Sequence, residues 1–234
     1  MQRLLLTALL ALVAGFAGAA AYGLSGLGNA QIERYLLANP KLLPKMVEAL
    51  EREEAQQKLA GAGLDLYKPF AGAILGNPNG KNTLVKFTDY NCGYCRAAAS
   101  EVQKLLAQDP ELKVIIREWP IFDGSETVAS MALAAARQGK YAAYHQALFA
   151  GGDTSAAGMA AAARQVGLDY ARLKADAASP QIAYELNRNI QYAQELGFTG
   201  TPSWIAGGRI IEGAVPAETL AQAVSGGGSG AGGK

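Results

Sequence analysis

Hydrophobic positions fall into three regimes along the chain. From Leu4 to Tyr22 the run is apolar without interruption and rich in Leu and Ala, with Arg3 the only charge ahead of it. From Ile32 to Leu59 apolar residues return at helical spacing, as Ile32, Tyr35, Leu36, Leu42, Leu43, Met46, Val47 and Leu50, while Glu48, Glu51, Arg52, Glu54 and Lys58 take the other face. Two helices fit this best. Asn39 is placed to cap the second with Pro40 at its first position, and Pro44 either kinks that helix or marks its start. Gly61 and Gly63 break the pattern.

Strand and helix signals then alternate. Asn77-Pro78-Asn79-Gly80 is a turn between a short strand near Ile74 and a longer one from Thr83 to Tyr90. A helix is predicted from Cys92 to about Gln108, and a Val- and Ile-rich strand from Leu112 to Ile121. Strand, helix, strand is the signature of a parallel crossover, so the fold class is α/β. Between Ser125 and Gly197 the pattern is wholly helical and Ala-rich, its last helix opened by Ser179-Pro180 and closed by Gly197. Ser203 to Ala206, the Gly207-Gly208 turn and Arg209 to Glu212 make a β-hairpin, followed by a closing helix from Pro216 to Val224. The segments are thus a leader at 1–21, an amphipathic helical segment at 22–63, a compact domain at 64–225 with a helical insertion at about 125–197, and a flexible Gly/Ser tail at 226–234.

Composition narrows the function. At 234 residues, 50% hydrophobic and 18% charged, the chain is suited to a packed globular protein. Removing the leader takes away one Arg and leaves the charges balanced, so a nucleic-acid partner is not expected: phosphate binding needs clustered Lys and Arg. Ala17-Gly18-Ala19 and Ala19-Ala20-Ala21 read as small-residue cleavage sites of a secretory signal; an uncleaved anchor is the alternative. Either way the domain is expected outside the cytoplasm, in an oxidising environment. Two cysteines and one histidine cannot close a structural zinc site, and no phosphate-binding glycine loop is present. No metal and no cofactor are expected.

Cys92-Gly93-Tyr94-Cys95 therefore carries the chemistry. Joining two cysteines three positions apart constrains little of the unfolded chain, so a purely structural role gains almost nothing. Directly after a strand, Cys92 falls at a helix N-terminus, where unpaired N–H groups and the helix dipole favour a thiolate; it is the expected attacking sulfur. Cys95, one turn later, is the shielded resolving partner. Gly93 and Tyr94 set the local backbone and hydrogen bonding, hence the redox potential. Thr201-Pro202 opens the Ser203 strand and could present a backbone edge to an extended substrate; an ordinary trans proline is the default there, and a cis bond the alternative.

The stretches Phe87 to Arg96, Arg117-Glu118-Trp119-Pro120-Ile121 and Gly197 to Pro202 together resemble the DsbA-like branch of the thioredoxin superfamily. Ile32 to Pro40 is similar to the N-terminal segment of suppressor-of-copper-sensitivity C (ScsC-like) proteins, so the resemblance covers nearly the whole mature chain. It implies a thioredoxin fold interrupted by a helical domain, Cys92 as nucleophile, Cys95 as resolving thiol, and Thr201-Pro202 as a cis-proline substrate loop. It also implies the periplasm, cysteine-containing unfolded or misfolded proteins as substrates, and a membrane redox partner. Gly93-Tyr94, with Thr before the proline, is similar to the pairing in DsbC-type isomerases rather than to strong oxidases.

One departure concerns position 86. Relatives usually carry a carboxylate six residues before the first cysteine, and this chain has Lys86. Facing inward, Lys86 would favour thiolates and Glu118 on the neighbouring strand could take the carboxylate role. Burial preferences alone instead favour Lys86 snorkelling to the surface and Glu118 in a solvated pair. His145, the lone histidine, reads as a packing or surface residue and is left out of the mechanism. The amphipathic segment either lies on its own domain or assembles subunits into a homo-oligomer through residues 32–59. The favoured activity is thiol-disulfide isomerase or reductase, with a monomeric dithiol oxidase and a Cu(I) carrier as alternatives.

Overall fold

The computed structural model describes residues 2–24, 27–70 and 72–226, and the chain divides into two units, residues 1–51 and 52–234. The first unit is helical. Helix α1 spans Gln2–Leu24, and its Arg3–Leu24 stretch is long and apolar enough to cross a membrane. Helix α2 spans Leu27–Ala38 and α3 begins at Leu42, running to Ala62. Asn39 does not cap α3. Its side-chain amide turns back to Tyr35 O at 2.8 Å and its backbone N–H donates to Leu36 O, so it closes α2 instead. Pro44 sits in the first turn of α3, where its missing N–H has no intrahelical partner to lose. Ile32, Tyr35, Leu37, Leu43, Met46, Val47 and Leu50 are all exposed in the chain as it stands.

The second unit is built on a five-stranded sheet in the order β1-β3-β2-β4-β5. Its strands are β1 (Ile74–Gly76), β2 (Asn82–Thr88), β3 (Leu112–Glu118), β4 (Ser203–Ala206) and β5 (Arg209–Glu212). β2 and β3 are parallel and joined by α4 (Gly93–Gln108); the other pairings are antiparallel. β3 stops at Glu118, short of the expected Ile121, because Pro120 cannot donate to a ladder. The chain between the central strands and the hairpin is entirely helical: α5 (Ser125–Arg137), α6 (Tyr141–Gly151), α7 (Ala156–Gln165), α8 (Tyr170–Ala177) and α9 (Pro180–Leu196). Helix α10 (Ala217–Gly226) closes the described chain, and the tail from 227 lies outside the described residues.

Both faces of the sheet are buried, and alternation sorts the central strands between them. Leu84 on β2, with Leu112, Val114 and Ile116 on β3, packs into a cluster that contains Cys92, Cys95 and residues of α4, α5, α6 and α10. Val85, Phe87 and Ile115 point the other way, into a cluster with Leu66, Tyr192, Leu196 and Phe198. Arg117 belongs to this second side. Its guanidinium, fully buried, meets Glu185 Oε1 at 2.6 Å and donates to the carbonyl oxygens of Asp65, Leu66 and Lys68. One cation thereby satisfies three carbonyls of the 3-10 turn Leu64–Tyr67 and its exit, and ties that turn to β3.

Candidate active site

The site forms where β2 ends and α4 begins. Cys92 is the N-cap of α4, in an extended backbone conformation, and its carbonyl accepts the Arg96 N–H, the first bond of the helix. Cys95 lies one turn later, fully covered. Both are free thiols. The Thr201–Pro202 peptide is cis, and the Cys92 thiol donates to Thr201 O at 3.2 Å. The same loop is held from behind: Gly213 N–H donates to Pro202 O, and Trp204 Nε1 donates to Gly213 O. Gly93 has open space around its Cα, and Tyr94 is exposed beside the cysteines.

A buried carboxylate fixes the loop that precedes Cys92. Asp89 Oδ1 accepts from Asn91 N–H and the Ser125 hydroxyl, and Oδ2 from the N–H groups of Ile121 and Phe122. Four donors on one side chain lock the end of β2 to the segment after β3 and to the first turn of α5. The connection between α6 and α7 adds two further ties, from Thr154 Oγ1 to Asn91 Oδ1 at 2.6 Å and from Arg96 to Gly152 O at 3.2 Å.

Lys86 and Glu118 are both buried, so the surface placement expected from burial preference fails. Alternation decides it: Lys86 and Thr88 share the Cys95 face of β2, and Thr88 is in register with Glu118. The Lys86 ammonium lies 5.2 Å from the centre of the Phe149 ring and 5.4 Å from that of Trp204, contacts that offset part of its lost hydration. Burial pulls its pKa from 10.5 down to about 8, against the opposing pull of Cys95, Glu118 and Cys92. Burial likewise raises Glu118 from 4.5 to about 8, moderated by hydrogen bonds from Tyr141 and Tyr90 and by the Lys86 charge. The Cys95 thiol is raised by burial too, and the polar groups of Thr201, Thr88 and the Asp89 backbone offset this only in part.

Around Glu118 the site holds residues whose part is not visible from the sequence. Tyr90 donates to Glu118 Oε1 at 2.8 Å, Tyr141 donates to the same oxygen, and His145 Nδ1 lies 2.7 Å from the Tyr90 hydroxyl. His145 is buried, as a packing residue would be, yet it is also polar-bonded into the site. The one sequence signal is the i, i+4 spacing of Tyr141 and His145, which puts both on one face of α6.

A sheet with a parallel β2-α4-β3 crossover, a Cys-x-x-Cys pair opening α4 and a cis-proline loop against it define a thioredoxin-type site. Residues 83–225 match the family described as the DSBA-like thioredoxin domain, and the chain belongs to that family. A thioredoxin-like oxidoreductase from Silicibacter pomeroyi is 41% identical, superimposes with a TM-score of 0.66, and the match covers 70% of this chain and 96% of that one. Proteus mirabilis ScsC in a transitional conformation is 27% identical with a TM-score of 0.66, covering 84% and 93% respectively. Among curated proteins, the Na(+)/H(+) antiporter NhaA 1 of Salinispora arenicola is 28% identical over 147 residues, 61% of this chain and 22% of that protein. The chain spans less than a quarter of the length of the curated relatives it matches.

Proposed function

We propose that this protein is a periplasmic thiol-disulfide oxidoreductase that shuffles or reduces disulfides of secreted proteins through Cys92 and Cys95. The observation that carries the reading is the pairing of Cys92 at the α4 N-cap, against the Thr201 carbonyl, with a Cys95 that is completely covered. Cys92 keeps 4% of its surface exposed and Cys95 none, so an incoming sulfur meets Cys92 first. In the reducing direction the Cys92 thiolate attacks a substrate disulfide, forming a mixed disulfide and releasing a substrate thiolate. Either Cys95 then attacks Cys92 and completes a two-electron reduction, or a second substrate thiolate attacks and returns a rearranged disulfide. The backbone at Thr201-Pro202 offers the edge along which an extended substrate docks, and exposed Tyr94 adds apolar surface beside it. A membrane redox partner restores the working oxidation state.

The apolar stripe of residues 32–50 supports assembly into a homo-oligomer, which sets several copies of the site around one misfolded substrate. The apolar α1 serves as the export signal, with cleavage near Ala19 to Ala21. Insulin reduction and scrambled-ribonuclease refolding test the activity. Both should proceed with the mature protein and cease in Cys92→Ser; a Cys92→Ser protein as active as the unmodified one would overturn the reading.

A further inference from the structure

A cavity of about 200 Å³ runs between α4 and α6, and two polar residues, Lys86 and His145, line it deep inside, with Arg96, Ser100 and Gln103 nearer its α4 wall. His145 Nε2 is buried and has no hydrogen-bond partner among the described residues, and neither has Glu118 Oε2. A buried, unpartnered nitrogen on a residue that lines a cavity is a place where a small local opening admits water. The other ring nitrogen is engaged. Each tyrosine hydroxyl carries a single proton; with Glu118 ionised, Tyr90 and Tyr141 both give theirs to Oε1, so His145 must hold its own proton on Nδ1 and donate it to Tyr90. The result is one directed chain, from His145 Nδ1–H through the Tyr90 hydroxyl to Glu118.

We propose that His145 is the proton gate of this site: a positioning residue that passes protons between the α4–α6 cavity and the buried Glu118–Lys86 pair by switching tautomer, without itself becoming charged. The inference rests on the thiol-disulfide reading above, since the demand for a proton arises there. When the Cys92–Cys95 disulfide is opened by a substrate thiolate, the electrons come from the substrate and Cys95 departs as a thiolate in a site that disfavours that form. The Lys86 ammonium, coupled electrostatically to Cys95 and Glu118, supplies Cys95 with a proton by way of water, and Glu118, protonated in that state, replaces it by the same route. Glu118 is left ionised. A proton from cavity water then binds His145 Nε2, the Nδ1 proton moves to the Tyr90 oxygen, and the Tyr90 proton moves to Glu118. Three bonds to hydrogen form and three break, and the chain of hydrogen bonds now points the opposite way. Oxidation runs the sequence in reverse, so no separate reset is needed.

The charged and titratable groups around His145 suit this role. Burial pushes the imidazole well below its ordinary pKa, and Lys86 from β2 adds to this by disfavouring a second positive charge nearby. Tyr90 and Tyr141 face Nδ1, and both donate to Glu118. Arg96 is the further cation on the cavity wall.

Because His145 is the lone histidine, ring-labelled 15N-histidine gives one set of signals from the unmodified, full-length protein. As pH rises through the titration of Glu118, the ring should stay neutral and switch from the Nε2–H to the Nδ1–H tautomer. A single tautomer from pH 5 to 10 would overturn the gate, and so would a ring that ionises in that range. The kinetic arm follows single-turnover reduction of the disulfide by dithiothreitol, in H2O and D2O. His145→Asn keeps a donor toward Tyr90 and cannot relay, so the proton uptake that follows disulfide opening, read with a pH-indicator dye, should slow about tenfold. The exchange step itself, in which attack at Cys92 and departure of Cys95 are one event, is unchanged. Imidazole added to His145→Ala should restore the rate. Variants that match the unmodified protein in rate and solvent isotope effect refute the gate and leave the oxidoreductase reading standing. An unmodified protein that fails to exchange disulfides removes that reading itself, and the gate with it.

Discussion

Lys86→Met tests whether a buried cation is held here at a cost to the fold. Methionine has similar length, fills the space between Phe149 and Trp204, and carries no charge. The fall in the lysine pKa from 10.5 to about 8 corresponds to about 3 kcal/mol of destabilisation when the ammonium is buried. The pH window follows from the direction of that shift. Below pH 8 the amine is protonated in folded and unfolded chains alike, so the whole cost is present. Between 8 and 10.5 the folded chain releases a proton that the unfolded chain keeps, and the stability of the unmodified protein rises. Above 10.5 both are neutral and the cost is gone. Lys86→Met should therefore be more stable by about 3 kcal/mol at pH 6–7, a Tm gain of about 6–12 °C for a domain of this size. The gain should shrink above pH 8, faster still because Glu118 has lost its neighbouring cation. Urea and thermal unfolding of the reduced protein at pH 6, 8 and 10 measure this, with insulin reduction run alongside and expected to slow. A variant no more stable at pH 6, or one whose gain persists unchanged at pH 10.5, would refute the burial argument.

Cys95→Ala should accumulate mixed disulfides with substrate proteins on non-reducing gels, whereas Cys92→Ala should accumulate few; equal trapping would reverse or erase the assigned roles. Asp89→Ala strands four donors that one carboxylate now satisfies, and urea denaturation should show a loss of about 3 kcal/mol. A loss below 1 kcal/mol would mean that the loop before Cys92 is held by other contacts. Replacing Met46, Val47 and Leu50 with Glu should turn a sedimenting oligomer into a monomer that keeps single-turnover thiol exchange but loses scrambled-ribonuclease activity. A wild-type chain already monomeric at micromolar concentration would end the assembly proposal.

The parts legible in the sequence are those set by local rules. The hairpin at 203–212 was marked by its paired glycines, α9 by Ser179-Pro180 and Gly197, and α4 by a Cys-x-x-Cys that directly follows a Val- and Phe-containing strand. Lys86 was legible as an anomaly but not as a buried one, because charge preference for the surface argues against strand alternation and alternation won. The Asn39 cap failed because its amide could serve either neighbouring helix, and the choice depends on the angle of the turn. The bonds that join Glu118 to Tyr90 and Tyr141, and Tyr90 to His145, span 23 to 55 positions in sequence and connect β3, α6 and the loop after β2, and no periodicity encodes that. Arg117 stands in a motif of the sequence, while its bonds to three carbonyls near residue 66 depend on the tertiary fold.

Arg117 and Glu118 are consecutive, opposite in charge, and buried on opposite faces of one strand. β3 reads Leu-Lys-Val-Ile-Ile-Arg-Glu, with aliphatic residues available to either side, so greasiness alone would let the strand slide one position against β2 and still bury its bulk. The charges forbid it. After such a slide a guanidinium would stand against Lys86, and a carboxylate would stand against Glu185, each a like-charge encounter out of water. Each encounter is disfavoured by several kcal/mol, which exceeds anything the aliphatic residues could recover. The dipeptide thus works as a key cut on both edges, admitting a single alignment of the strand that brings the two cysteines and the cis-proline loop together.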